Sequence, residues 1–503
     1  MRDATRPYSD FRRFLRGLDQ FDALLTIWGY HLHVVDGRPL LQGFAADRPP
    51  SMDLRKHIRP WALDILSREV ILHAGRHPRP TRRLSQYKDL AAAINAVMKM
   101  SDVAPDADND FMLHMHRLAH QQFPWQSGGW TQASVIRVWK IYGGDMLDSM
   151  VQSKYGMTMQ QIIWRGFATG GNFLSNWGMT TTADYSDPLS IPPEASRAFF
   201  ETLARTPQEL QELARPHQAF NDSWASTWNP LRLFPLVRYD PHHPEYAMCP
   251  IPRFAQERIT TGVFYDIVKE NGFSDAFGSA FQSYIGEIIK ATCGDGFTVT
   301  PEAEYRVGRD RKNGVDWTVS DGTGVLYIEC KAKRMRRGSK ELISRADIDA
   351  DLSEFANAIV QHYKNIDDVL VGRTQQAAPT GSVFMIVVTL ESWYMTSTTV
   401  RQQLADIVVD RMQKTALPLS MLDTIPWQVV AAQEFEQVAQ VFSEEGIASV
   451  LEEKVSPDYR DWDLNGFIHR TRASWPARYV PLFPEDEARL FPDWITRSAR
   501  DPA

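Results

Sequence analysis

The chain has 503 residues, more than one ordinary hydrophobic core supports, so two or three domains are expected. With 43% hydrophobic residues, 23% charged residues and a net charge of -7, it reads as globular and lacks a generally basic surface. That excludes a protein coated in positive charge, but not one that concentrates its cations at a single place. Cys249, Cys293 and Cys330 have neither the number for a disulfide framework nor zinc-ligand spacing. The opening residues are charged and read as no secretory signal. Runs such as 383–388 are far too short to span a bilayer, so a cytoplasmic protein with no membrane partner is expected.

In chain order, residues 1–215 read as a mainly helical N-terminal domain with a sensing, partner-binding or regulatory role. Apolar spacing predicts helices over 91–100 and 133–150, and over 194–214 with a break near Thr206-Pro207. Trp28, Trp61, Trp125, Trp130, Trp139, Trp164 and Trp177 are expected chiefly as core aromatics. Prolines punctuate 216–252, which reads as a connector with short extended pieces, and the domain boundary is placed near Pro252. Residues 253–456 read as an α/β domain and 457–503 as a C-terminal tail.

Within 253–456 a helix over 276–291 carries Phe277, Phe281, Tyr284, Ile285 and Ile288 on one side, with Glu287 on the flank of that stripe. Extended runs follow at 303–307, 315–319 and 325–330. The last two are joined by Ser320-Asp321-Gly322-Thr323-Gly324, a hairpin signal. A long helix over 347–371 has the stripe Ile348, Leu352, Phe355, Ile359, Tyr363, Ile366 and Leu370, with Asp347, Asp349 and Asp351 in its first turns. The apolar strand 383–390 is expected at the sheet centre. A helix over 400–414, a strand over 427–431 and a helix over 434–442 complete the α/β pattern.

Alternation along the strand 325–331 puts Tyr327, Glu329 and Lys331 on one face and Leu326, Ile328 and Cys330 on the other. In the preceding strand Asp316 and Thr318 share a face, and the hairpin can bring Asp316 beside Glu329, although pairing register is open at this level. Two carboxylates forced together call for a cation between them. Oxygen ligands select Mg²⁺, with Mn²⁺ as a substitute. Such a metal with an adjacent lysine is what phosphodiester hydrolysis needs. Basic residues flank the pair on both sides: Arg306, Arg309, Arg311 and Lys312 before it, and Lys333, Arg334, Arg336, Arg337 and Lys340 after it. They are expected to hold a nucleic-acid backbone.

Val315-Asp316-Trp317, followed after the aspartate by twelve residues and then Glu329-Cys330-Lys331, resembles the core motif of the PD-(D/E)XK phosphodiesterase superfamily. That group includes many restriction and repair nucleases. The resemblance covers residues 275–395, with Val315 where the family's proline stands. It implies a restriction endonuclease-like fold, a mixed central sheet flanked by helices. It also implies Asp316 and Glu329 as metal ligands, Lys331 as the catalytic lysine, Glu287 as an accessory ligand and Gln361 as a comparator for a glutamine some members carry. The expected function is a Mg²⁺-dependent endonuclease acting on DNA, by analogy an antiviral defence effector with a homo-oligomeric or defence-system partner. The alternatives are a catalytically silent nucleic-acid-binding scaffold and an RNA-cutting toxin. Outside this region His116 and His120 share a helical face, and His242 and His243 lie near Cys249, but neither set has metalloprotease spacing. A Walker phosphate loop and a nucleophile elbow are both absent from the sequence.

Overall fold

The computed structural model describes residues 5–101, 111–126, 131–187, 189–220, 224–340, 345–394 and 398–491. Trp130 and part of the expected tail lie outside them. The chain divides into two compact units. The first comprises Met1–Asp108, Gln121–Phe273 and Asp493–Ala503; the second comprises Asn109–His120 and Ser274–Pro492. Among the described residues no helix is long and apolar enough to cross a membrane.

The first unit is mainly helical. Gln20–Val35 starts where the Asp19 side chain accepts the Asp22 N–H, and Pro60–His73 starts on a proline at its first turn. Their apolar faces supply Leu24, Ile27, Tyr30, Leu63, Leu66 and Val70 to the core. The helix expected over 133–150 is two, Gln132–Tyr142 and Asp145–Tyr155, broken at Gly143-Gly144. The break near Thr206 is present, and Thr206 and Glu209 cap the second helix reciprocally. Trp28 and Trp61 are buried, and Trp125 and Trp177 pack against the core.

The stretch 216–252 is not a connector. Trp224, Leu231, Val237, Met248 and Ile251 lie in the core of the first unit. Leu236–Val237 and Tyr246–Met248 join Gly178–Thr180 and Ala204–Arg205 in a small four-stranded sheet. Proline ends helices and favours extended backbone, but it does not decide exposure; the apolar residues between the prolines do, and they bury. The division accordingly falls at Phe273–Ser274, beyond Pro252, because Phe254 and its helix pack into the first core.

The second unit carries the α/β pattern. Its elements are α1 (Phe273–Thr292), β1 (Thr298–Pro301), β2 (Glu304–Val307), β3 (Asp310–Asn313), β4 (Trp317–Ser320), β5 (Gly324–Lys331), α2 (Arg345–Leu370), β6 (Ser382–Thr389), α3 (Thr398–Lys414), β7 (Trp427–Ala431), α4 (Ala432–Glu445), α5 (Ile447–Lys454) and α6 (Leu464–Thr471), with shorter turns between them. The main sheet has five strands in the order β7-β6-β5-β4-β1. β5, β6 and β7 run parallel, and β4 is antiparallel to both β5 and β1. The expected central strand is β6, flanked on both sides.

The run 303–307 is not part of this sheet. It pairs with 310–313 as the separate hairpin β2–β3, and the third antiparallel strand is β1. The β4–β5 turn is closed by Asp321, whose Oδ1 accepts the N–H groups of Thr323 and Gly324, while Gly322 takes φ 82.

Both faces of the sheet are covered. Trp317 lies against α1: its Nε1 donates to the Gln282 carbonyl at 3.0 Å, and a Cβ on Gly286 would sit 2.1 Å from its ring. α4 and α5 contact β6, and α5 also contacts β5. Val325 and Tyr327 share the opposite core with Leu352, Phe355, Ile359 and Tyr363 of α2 and with Val400, Leu404 and Val408 of α3. Leu370, at the end of the expected stripe, is exposed. The supposed tail belongs to the second unit through α6, where Leu464, Phe467 and Ile468 are buried.

Candidate active site

The pairing of β4 with β5 sets Trp317 opposite Ile328 and Thr318 opposite Tyr327. One step further along this register brings Asp316 opposite Glu329. The Asp316 Oδ2 atom accepts the Cys330 N–H at 2.6 Å, which ties the carboxyl to the end of β5. Glu329 is 5% exposed, and its Oε1 lies 2.6 Å from the Lys331 Nζ atom. Asp316, Glu329 and Lys331 all line one cleft of about 1290 Å³, on the sheet face covered by α2.

The electrostatics are those of a crowded anionic pair. Burial first, and the Glu329 carboxylate second, push the Asp316 carboxyl up to about 7, against the Cys330 N–H and the Lys331 ammonium, which favour its charged form. Burial alone would depress Lys331, but Glu329 and then Asp316 outweigh it and hold the ammonium above its ordinary value. One ammonium therefore serves two carboxyls, Glu329 buried and Asp316 half-buried.

Glu302 and His362 also bear on this pair, and sequence reasoning did not single them out. Glu302 lines the cleft, adds to the negative field at Asp316, and accepts the Gln282 amide at 3.1 Å. His362 is fully buried on α2. Its Nε2 lies 3.2 Å from the Tyr327 carbonyl, so that nitrogen carries the proton, and Nδ1 is left 3.7 Å from the Glu329 Oε2 atom with no hydrogen-bond partner. Burial holds the ring below its ordinary pKa, so the neutral form is favoured. Its signal in the sequence is helical spacing: Phe355, Ile359, His362 and Ile366 form one stripe, with a polar residue inside it.

Glu287 does not line this cleft. It is exposed on α1 and absent from the cleft lining, because the register of that helix turns Gln282 rather than Glu287 toward Glu302. Gln361 does line the cleft, and its amide donates to Asn365 at 3.0 Å.

The basic runs are largely neutralised within the fold. Lys333 pairs with Glu354, Arg336 with Asp351 and Glu354, and Arg334 and Lys340 with Glu391. Arg311 pairs with Glu304, and Lys312 lies 2.8 Å from Asp368. Arg337 is half-buried in a one-turn helix, and Arg306 and Arg309 are exposed on the β2–β3 hairpin. Of the basic residues expected to bind nucleic acid, Arg311 and Lys312 reach the cleft and Lys333 reaches an adjoining groove. A cation that is partly buried needs a counter-charge, so density along the chain does not equal free positive surface.

Comparison with known proteins finds no matching family model, no matching curated protein and no matching solved structure.

Among the described residues, no group of three or more His, Cys, Asp and Glu side chains is arranged to hold a metal ion. Two convergent carboxylates nevertheless suit a hard divalent ion such as Mg²⁺, which keeps several sites for water and phosphate oxygen. The unpartnered His362 Nδ1 beside Glu329 marks the same place as short of positive charge. His116 and His120, whose rings are 4.6 Å apart, are instead held neutral by burial and hydrogen-bond to the backbone of Ser339 and Trp393. His242 and His243 are exposed while Cys249 is buried, so they do not form a common site.

Proposed function

We propose that the second unit is a metal-dependent phosphodiesterase of the PD-(D/E)XK kind that cleaves nucleic acid, with DNA as the preferred substrate. The observation that carries this reading is the placement of Asp316 opposite Glu329, with Lys331 in contact with Glu329, at the edge of an open cleft. Asp316 and Glu329 would hold the ion, and Glu302 replaces Glu287 as the accessory carboxylate. The ion supplies charge neutralisation at the phosphodiester and a more acidic attacking water.

The chain's own residues supply the rest. The Cys330 N–H fixes one carboxyl, and the β4–β5 register fixes the distance to the other. Lys331 is held protonated and moves between two duties. It neutralises Glu329 in the protein alone, and its ammonium is free to steady the scissile phosphate once Glu329 is engaged elsewhere.

The experiment is incubation of the purified chain with supercoiled plasmid in Mg²⁺, in Mn²⁺ and in chelator, beside Asp316→Ala and Lys331→Ala. Nicking or linearisation that needs metal and disappears in both variants supports the reading. Cleavage undiminished in either variant overturns it. That no three donors are arranged to hold a metal among the described residues favours a second reading, a nucleic-acid-binding scaffold without catalysis. That reading expects salt-sensitive binding, no cleavage of DNA or RNA, and no calorimetric Mn²⁺ binding lost in Asp316→Ala.

A further inference from the structure

Beside the carboxylate cleft lies a second groove of about 650 Å³ between α2 and α3. Lys331, Lys333, Lys364, Arg411 and Lys414 line it, with Glu354 as the one carboxylate of the lining among the described residues. The groove and the cleft share Lys331, Gln361, Lys364 and Thr415, so the two adjoin at these residues.

The two arms differ in charge. In the cleft arm six carboxylates, Glu302, Glu304, Asp316, Glu329, Asp367 and Asp368, line the walls, and the cations that belong to this arm alone are matched. Arg311 pairs with Glu304, while Lys312 and Arg373 lie 2.8 and 2.7 Å from Asp368. Tyr305 donates to the same carboxylate at 2.7 Å. In the groove arm Lys331 and Lys333 are paired with Glu329 and Glu354, but the matches of the other three cations are missing or weak. Lys364 makes no hydrogen bond or ion pair among the described residues. Lys414 is 2.6 Å from Asp410, but both side chains are mostly solvent-exposed, so the pair is weak and exchanges readily for a phosphate. Arg411 donates to the Ser353 hydroxyl at 2.5 Å and to its carbonyl, which holds its guanidinium in place while leaving its charge unopposed by a carboxylate among the described residues. Arg411 and Lys414 are three apart on α3 and face the same way.

We infer that this groove is the track for the phosphate backbone on one side of the scissile bond, a one-sided grip with Lys364 and Lys414 as its principal contacts. The inference rests on the phosphodiesterase reading for the identity of the scissile bond. The cation imbalance that defines the track does not depend on it.

The test is fluorescence anisotropy of labelled single- and double-stranded DNA with the full chain in chelator, over a series of salt concentrations. Wild type is compared with Lys364→Ala/Lys414→Ala and with Arg311→Ala/Lys312→Ala. The groove variant is expected to lose about tenfold or more in affinity, and its plot of log affinity against log salt is expected to flatten by about 1.4–1.8, which is two phosphate contacts. The cleft-rim variant is expected to stay within about twofold of wild type. Equal affinity of the groove variant and wild type overturns the track, and so does an equal loss in the rim variant. Because binding is read without metal, loss of affinity in a protein that cleaves nothing upholds the track while the phosphodiesterase reading fails. Cleavage with unchanged binding in the groove variant does the reverse.

Discussion

Both units bury charge, and they do so in opposite ways. In the first, Arg68 and Glu69 are each about 2% exposed and 2.7 Å apart, and the guanidinium also donates to the carbonyls of Thr227 and Trp224 at 2.7 and 3.0 Å. Asp64 is similarly saturated, accepting Asn229 at 2.7 Å and Arg232 at 2.5 Å. These networks close on themselves and tie 224–232 to the helix Pro60–His73. In the second unit Asp316 and Glu329 share one ammonium, a histidine nitrogen beside them has no partner, and the group opens onto a cleft. Buried charge by itself therefore does not mark a site. An uncompensated pair with access to solvent does, because its missing partner has to come from outside.

That contrast is broken most decisively at Asp316. Asp316→Ala is expected to lower plasmid cleavage by about a thousandfold or more while the circular dichroism spectrum is retained, since in the proposed reading the side chain would hold the ion and it is not part of the hydrophobic core. Next in size is Arg68→Ala. It leaves Glu69 buried without its cation and is expected to cost about 3–5 kcal/mol in urea unfolding, read by tryptophan fluorescence, with cleavage by the folded fraction unaltered. If Arg68→Ala abolished cleavage in protein that remains folded, the separation of structural from functional charge would fail.

A pH series sharpens the same point in the first unit. Burial, assisted by Arg253, drives His31 down to about 3. A group whose folded pKa is depressed contributes stability that is present above its unfolded value near 6.5 and is lost as pH falls through its folded value. Stability should accordingly fall between about pH 6.5 and 3, with a limiting slope of about 1.4 kcal/mol per pH unit for one proton. His31→Leu should flatten that limb, and an unchanged acid limb would remove His31 as its source. The smallest effect separates two carboxylates. Glu302→Gln is expected to lower cleavage severalfold and Glu287→Gln by less than about twofold, compared at limiting Mg²⁺. Equal losses would return Glu287 to the site.

Much of this site could be read from alternation and spacing. Hydrophobic periodicity placed β5, β6, β7, α2 and α3 close to their observed bounds, because each buries a regular stripe. The face shared by Glu329 and Lys331 follows from the two-residue repeat of a strand, and the Asp321–Thr323 turn from side-chain hydrogen bonding to the next amides. What could not be read was long-range. That β1, and not 303–307, completes the antiparallel set depends on which strand edge is free, and both runs are short and extended. Whether 216–252 is linker or core depends on whether Trp224, Leu231 and Met248 find a surface to cover.

Local chemistry, the alternation of a strand and the period of a helix, is written in consecutive residues, and it was enough to nominate Asp316, Glu329 and Lys331. Only the tertiary structure decided the rest: the register opposing Asp316 to Glu329, the pairing of Arg334, Arg336 and Lys340 with acids distant in sequence, and the cations of α2 and α3 left over to face a groove. Charge is neutralised by neighbours in space, and the chain does not list those neighbours in order.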